Sequence, residues 1–244
     1  MKQSRFSGLL FYSMVFLLVS CSGGETEKKT TTDSTAADTT AAVAAPKITT
    51  ITTPQFMLVV THKVANYAKW KASYDEHDSA RLANGIHNYV IGRGLKDSNM
   101  VMVALRVDDS AKAMAFGKDP GLKKAMQKGG VVGAPTVVLN TMTFQDTVSI
   151  STDIRARTSY AVKDWAAWEK AFQEGKQEGQ ENGITLRAYG HKSGDDKKIV
   201  LVTAITDTAK AFAYYKSDMI KKRRAAAGVI GEPERFLYRV VQRY

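Results

Sequence analysis

The sequence is poor in the residues that build most small reactive sites. It holds one cysteine, four histidines and five prolines in 244 residues. One cysteine excludes a disulfide framework and any zinc site made of several thiolates. The histidines His62, His77, His87 and His191 are scattered without metal-ligand spacing, so no metal site is expected. No phosphate loop, dinucleotide fingerprint or Ser-His-Asp arrangement is present, and Gly92-Arg93-Gly94 is too short to count as one. No cofactor is therefore assigned. No apolar run reaches the roughly 20 residues needed to cross a bilayer. Acidic residues are the minority, 24 against 35 Lys plus Arg, for a formal charge of +11. With 44% apolar and 24% charged residues, a fibrous, collagen-like or wholly disordered chain is excluded.

What is present begins with an export signal over residues 1–20. Lys2 and Arg5 give a positive start, and residues 9–19 form a short apolar core. Cys21 stands at the end of that core. Leu18-Val19-Ser20-Cys21 resembles the bacterial lipobox, with a branched apolar residue at −3 and a small one at −1. The resemblance implies cleavage before Cys21, a diacylglycerol on its thiol and acylation of the new amino terminus. The partner would be membrane lipid, held by several acyl chains at about 0.8 kcal/mol per buried CH₂. An ordinary secretory signal with a chance cysteine is the alternative. Residues 21–55 are rich in Thr, Ala and Asp and lack aromatics, which suits a disordered tether with a reach of roughly 30 Å. Ser22 is not the aspartate that retains enterobacterial lipoproteins in the inner membrane. The expected location is the bacterial cell envelope, at the outer membrane.

The remainder is one unit written twice. Trp70 and Trp168 lie 98 residues apart, and the same offset recurs without a gap. Asn84-Gly85-Ile86 matches Asn182-Gly183-Ile184, Gly92 matches Gly190, and Asp109-Ser110-Ala111-Lys112-Ala113 matches Asp207-Thr208-Ala209-Lys210-Ala211. Gly130-Val131-Val132-Gly133-Ala134-Pro135 matches Gly228-Val229-Ile230-Gly231-Glu232-Pro233. This pattern is a duplication, with repeat 1 over residues 56–147 and repeat 2 over 154–244.

Each repeat reads strand, helix, strand, strand, helix, strand. Residues 56–62 are apolar and strand-like, and Ile154, Ala156, Thr158, Tyr160 and Val162 alternate with polar residues. Asn66 and Asp164 suit helix N-caps, and Ser110 and Thr208 are expected to cap the second helices. Asp119-Pro120 and Ser217 open further helical turns; last strands are expected over 136–144 and 235–244. The order βαββαβ is the split-βαβ, ferredoxin-like unit. Its sheet carries helices on one face only, so the other face must be covered. Two repeats in one chain can cover each other, giving an α+β fold packed sheet to sheet as an intrachain pseudo-dimeric barrel.

Both repeats resemble the dimeric α/β-barrel superfamily, which includes antibiotic-biosynthesis-monooxygenase-like domains. The resemblance rests on Asn66-Tyr67-Ala68-Lys69-Trp70-Lys71, on Tyr74-Asp75-Glu76-His77 with Arg81 and Gly85, and on the Gly130 to Pro135 stretch. It implies the fold and leaves activity open, because the superfamily spans cofactor-free oxygenases, haem-degrading enzymes and isomerases.

Trp70, Tyr74, His77 and Arg81 fall at i, i+4, i+7 and i+11, a single helical stripe. The equivalents in repeat 2 are Trp168, Phe172, Gly175 and Gly179, so the aromatic half persists and the polar half does not. Trp70, Tyr74, Trp168 and Phe172 are the candidate ligand-binding residues, and His77 and Arg81 the candidate catalytic pair, with the imidazole as base. Core packing of Trp70 and Tyr74 against the sheet is the stronger, plainer reading of the aromatics, and favourable placement near a helix C-terminus is that of His77 and Arg81. Lys221-Lys222-Arg223-Arg224 reads as the last turn of a helix, with anionic lipid or polysaccharide as the other possible partner. Nucleic acid is not an expected partner of an exported chain. The expected function is binding of an unknown small apolar or aromatic molecule without catalysis. The alternative is a cofactor-independent monooxygenase or isomerase with one site in repeat 1.

Overall fold

Strand β2 (Gln55–Val64) sets the logic of the whole molecule. Side chains alternate across a strand. Leu58, Val60 and Val64 turn to one face and pack with Trp70, while Met57 and Val59 turn to the other and pack with Met102, Val200 and Tyr238. Both faces are therefore buried. The computed structural model describes residues 49–244. The signal segment, Cys21 and most of the tether lie outside the described residues.

Repeat 1 continues with α1 (Tyr67–Glu76), α2 (Asp78–Ala83), β3 (Ile86–Gly94), β4 (Met100–Val107), α3 (Ser110–Phe116), α4 (Pro120–Lys128) and β5 (Val131–Asp146). Repeat 2 runs β6 (Ile154–Val162), α5 (Trp165–Glu174), α6 (Lys176–Glu181), β7 (Ile184–Lys192), β8 (Asp195–Ile205), α7 (Thr208–Lys216), α8 (Asp218–Ala226) and β9 (Val229–Arg243). A short strand β1 (Thr50–Ile51) precedes them and pairs with Asp146 and Gln145 of β5. Residues 50–51, inside the stretch read as tether, thus belong to the sheet, where the β-branched Thr50 and Ile51 favour an extended backbone.

The strand order is β5-β2-β4-β3 in one repeat and β9-β6-β8-β7 in the other, all antiparallel. Two seams, β3 to β9 and β5 to β7, join the repeats and close the ring. The chain is an α+β fold in which two ferredoxin-like repeats share one closed barrel, with helices on the outside. Closure needs close backbone approach at the seams. A Cβ on Gly190 of β7 would sit 2.1 Å from the Thr141 carbonyl oxygen of β5; one on Gly92 of β3 would sit 2.3 Å from the Tyr238 ring of β9. These matched glycines are what let the repeats meet.

Local chemistry adjusts several expectations. Asn66 and Asp164 cap α1 and α5, accepting from the Lys69 and Ala167 N–H groups at 2.9 and 2.8 Å. The second helices start at Ser110 and Thr208, and their caps lie one residue before the expected ones. Asp109 accepts from Ala111 and Lys112, and Asp207 accepts from Lys210. A carboxylate suits the positive end of a helix dipole better than the Ser110 or Thr208 hydroxyl. The first helix of each repeat is broken, at His77 in repeat 1 and at Gly175 in repeat 2. The last strands begin at Val131 and Val229, earlier than the expected 136 and 235.

Candidate functional site

Between helices and sheet, repeat 1 encloses a cavity of ≈ 340 Å³. Its floor is β-sheet: Leu58, Val60 and His62 of β2, Ile86 of β3, and Val103 and Leu105 of β4. Trp70 and Tyr74 of α1 and Arg81 of α2 form one wall, and Met114, Phe116 and Gly117 of α3 with Leu122 and Met126 of α4 form the other. The wall is apolar but for His62, the Tyr74 hydroxyl, the Arg81 guanidinium and Lys118.

The polar groups are arranged in order along one side. Trp70 stacks on Tyr74 with centroids 5.0 Å apart, and His62 lies 5.5 Å from Trp70. The Arg81 guanidinium sits 3.7 Å above the Tyr74 ring and donates to Asp78 Oδ1 at 3.0 Å. Asn88 Nδ2 donates to the same Asp78 oxygen at 2.6 Å, and the Tyr74 hydroxyl donates to Asn88 Oδ1. Arg81 is thereby held with only 4% exposure, its charge balanced by Asp78 and the ring face. Burial pushes the Tyr74 hydroxyl well above the ordinary phenol range, against the opposing pull of Arg81.

His62 is the unusual member. It is 6% exposed, and neither ring nitrogen has a hydrogen-bond partner. Burial drives its pKa down to about 4, so it is a neutral imidazole in an apolar wall.

Of the residues expected from sequence, Trp70, Tyr74 and Arg81 meet at this cavity. His77 does not line it; it caps the break between α1 and α2 and stacks on Phe116 at 6.0 Å. The helix break turns it off the stripe that an unbroken helix would have made. Trp168 and Phe172 stack at 5.2 Å over the corresponding space in repeat 2, which measures ≈ 110 Å³. There Tyr160 replaces His62 and accepts from Trp168 Nε1 at 3.0 Å. Tyr215 replaces Gly117, and Arg235 replaces Val137 and lies 3.6 Å over the Tyr215 ring. Tyr214 donates to Glu178 at 2.6 Å, and Arg223 binds the same carboxylate through space left open by Gly175. Larger side chains have filled the second pocket.

The basic run Lys221 to Arg224 splits accordingly. Lys221 pairs with Asp218 on the surface, Arg223 turns in to Glu178, and Arg224 lines the filled pocket. Sequence reasoning missed His62. Its signal was position: it shares the helix-facing register of Leu58 and Val60, where repeat 2 has a tyrosine.

No protein-family model matches the sequence, and no curated protein matches it. Solved structures match in fold. A candidate monooxygenase from Fusobacterium nucleatum superposes with a TM-score of 0.53 at 13% identity, over 78% of this chain and 93% of that one. An anthrone oxidase-like protein gives 0.52 at 12% identity, over 77% and 92%. A heme-binding protein from Thermus thermophilus gives 0.50 at 9% identity, over 79% and 93%. The shared architecture is the dimeric α/β barrel, here built by one polypeptide.

Proposed function

We propose that this chain is a lipid-anchored envelope protein whose repeat 1 pocket binds one small apolar or aromatic molecule without transforming it. The observation that carries this reading is the asymmetry of volume, ≈ 340 Å³ in repeat 1 against ≈ 110 Å³ in repeat 2, in two otherwise matched compartments. Ligand sites are concave, largely apolar and furnished with a few convergent polar groups. The repeat 1 cavity has that composition.

Trp70 is the single tryptophan of repeat 1 and reports on the site directly. Titration of the purified chain with uncharged quinols is expected to change its fluorescence. Gly117→Tyr, which installs the residue repeat 2 has there, is expected to abolish the response. A response that survives this substitution places the ligand elsewhere and overturns the reading. For the anchor, Cys21→Ser is expected to release the protein from membranes; retention would remove the lipid from the account.

His62 favours a second reading, a cofactor-independent monooxygenase or isomerase reaction in the same pocket. A neutral imidazole keeps one nitrogen lone pair, free here of any protein partner, that can accept a hydrogen bond from a phenol or carbon acid bound against Trp70 and orient it for reaction. Oxygen uptake with a quinol substrate, lost in His62→Tyr, would establish this in place of simple binding.

A further inference from the structure

The barrel lumen holds a second polar cluster, separated by the sheet from the helix-side pocket. Met57 and Val59 of β2 point inward; their matches 98 residues on are Arg155 and Arg157 of β6. Arg187 of β7 and Arg243 at the end of β9 join them around a cavity of ≈ 90 Å³. The rest of the wall is mostly apolar or aromatic, including Met57, Val59, Met102, Val200, Tyr89 and Tyr238, with the amides Asn140 and Gln145 as its uncharged polar members.

The positive charge there is not balanced by protein. Asp146 is the one acid among the lining residues, and Arg187 takes it at 3.2 Å. Asp153, close by, is held by both oxygens on Arg239 at 2.6 Å. Glu234 acts on Arg157 through its field only. Arg155 is 3% exposed; its Nη1 donates to the Thr152 and Ile154 carbonyls at 2.8 and 2.9 Å, and its Nη2 is buried with no partner. The Nε of Arg157 is likewise buried and unpaired. Buried cations without partners are costly, and protein interiors normally satisfy them. Burial, reinforced by the neighbouring Arg243 and Arg187, lowers the Arg155 pKa to about 10, which still leaves it charged at neutral pH.

We propose that the lumen is a binding site for a small organic carboxylate, with its acid group on Arg155 and Arg157 and its apolar body against Met57 and Val59. A planar guanidinium matches a carboxylate in a two-point fork, which an ammonium does not. The apolar wall selects an organic acid over a mineral anion. The size of the cavity limits the ligand to a few carbon atoms or a single ring.

Calorimetric titration of the full chain with benzoate tests this, with neutral benzamide and inorganic phosphate as controls. Benzoate is expected to bind, and benzamide and phosphate are not. Arg155→Met with Arg157→Val, which copies the repeat 1 residues, is expected to weaken benzoate at least tenfold. Its melting temperature should hold or rise, since two cations with no ion-pair partner, each with a buried nitrogen left unbonded, are removed. Arg243→Met, at an exposed strand end where folding is not at stake, is expected to weaken benzoate several-fold. Gly117→Tyr is expected to leave benzoate binding intact, which separates this site from the helix-side pocket. Absence of benzoate binding, equal binding of benzamide or phosphate, or unchanged binding in the arginine variants would each overturn the proposal.

Discussion

The two helix-side compartments share a backbone plan and differ in what fills them. In repeat 1, His62, Gly117 and Val137 leave a cavity; in repeat 2, Tyr160, Tyr215 and Arg235 occupy the matching positions and close it. The tryptophans that seal both compartments, Trp70 and Trp168, are retained and buried. The difference teaches that the aromatic stripe is common to both copies and does not by itself set them apart. Specific character lies in the positions where the copies disagree.

The largest expected effect tests that division. Trp168→Ala in the filled compartment should cost about 4 kcal/mol by denaturant unfolding, because the ring is 1% exposed and its neighbours cannot collapse into the gap. Trp70→Ala should cost less, about 3 kcal/mol, since its ring already borders empty space. Equal losses would mean that the repeat 1 cavity is not open in solution.

The seams provide the next contrast. Gly190→Ala is expected to destabilise by about 3 kcal/mol, because its methyl meets the Thr141 backbone. Gly92→Ala meets the edge of a Tyr238 ring and should cost about half as much.

A third test uses acid. His62 is neutral in the fold, with a pKa of about 4 against an unfolded value of 6.5. The unfolded chain therefore binds the proton first. Stability contributed above pH 6.5 is lost as pH falls from 6.5 towards 4, by about 3 kcal/mol at most. His62→Tyr, which copies repeat 2, should remove this part of the acid sensitivity in melting curves taken across that range. An unchanged pH profile would show that the imbalance between repeats does not rest on this imidazole.

The smallest expected effect is that of Gly117→Tyr on stability. Its backbone is ordinary right-handed helix, and a Cβ there comes no closer than 3.3 Å to the Met114 carbonyl oxygen. The change should shift stability by about 1 kcal/mol or less while filling the pocket.

Much of the architecture was legible because duplication writes it twice. The 98-residue offset marks equivalent strands, and a one-sided sheet demands a cover, which the second copy supplies. Trp70, Tyr74 and Arg81 were legible as a helical stripe. His77 was misplaced because the stripe assumed an unbroken helix, and the chain breaks at that residue. His62 was passed over because a lone histidine on a strand carries no spacing pattern; its partnerless nitrogens emerge only when Trp70 packs over it. Arg155 and Arg157 sat in plain view in the alternation of β6, but that face becomes an interior only once the ring closes. Shared positions gave the fold, whereas the site depends on unshared ones.

Ring closure has a further consequence for solubility. An open sheet ends in strands whose free N–H and C=O groups can recruit other chains. Here each of the eight barrel strands is hydrogen-bonded to two neighbours over at least part of its length, so no strand leaves a whole edge open for strand addition. The strand β1, paired on one side only, spans two residues and is too short to propagate a sheet. Closure thereby shortens the edge open to edge-to-edge aggregation by topology, independently of charge.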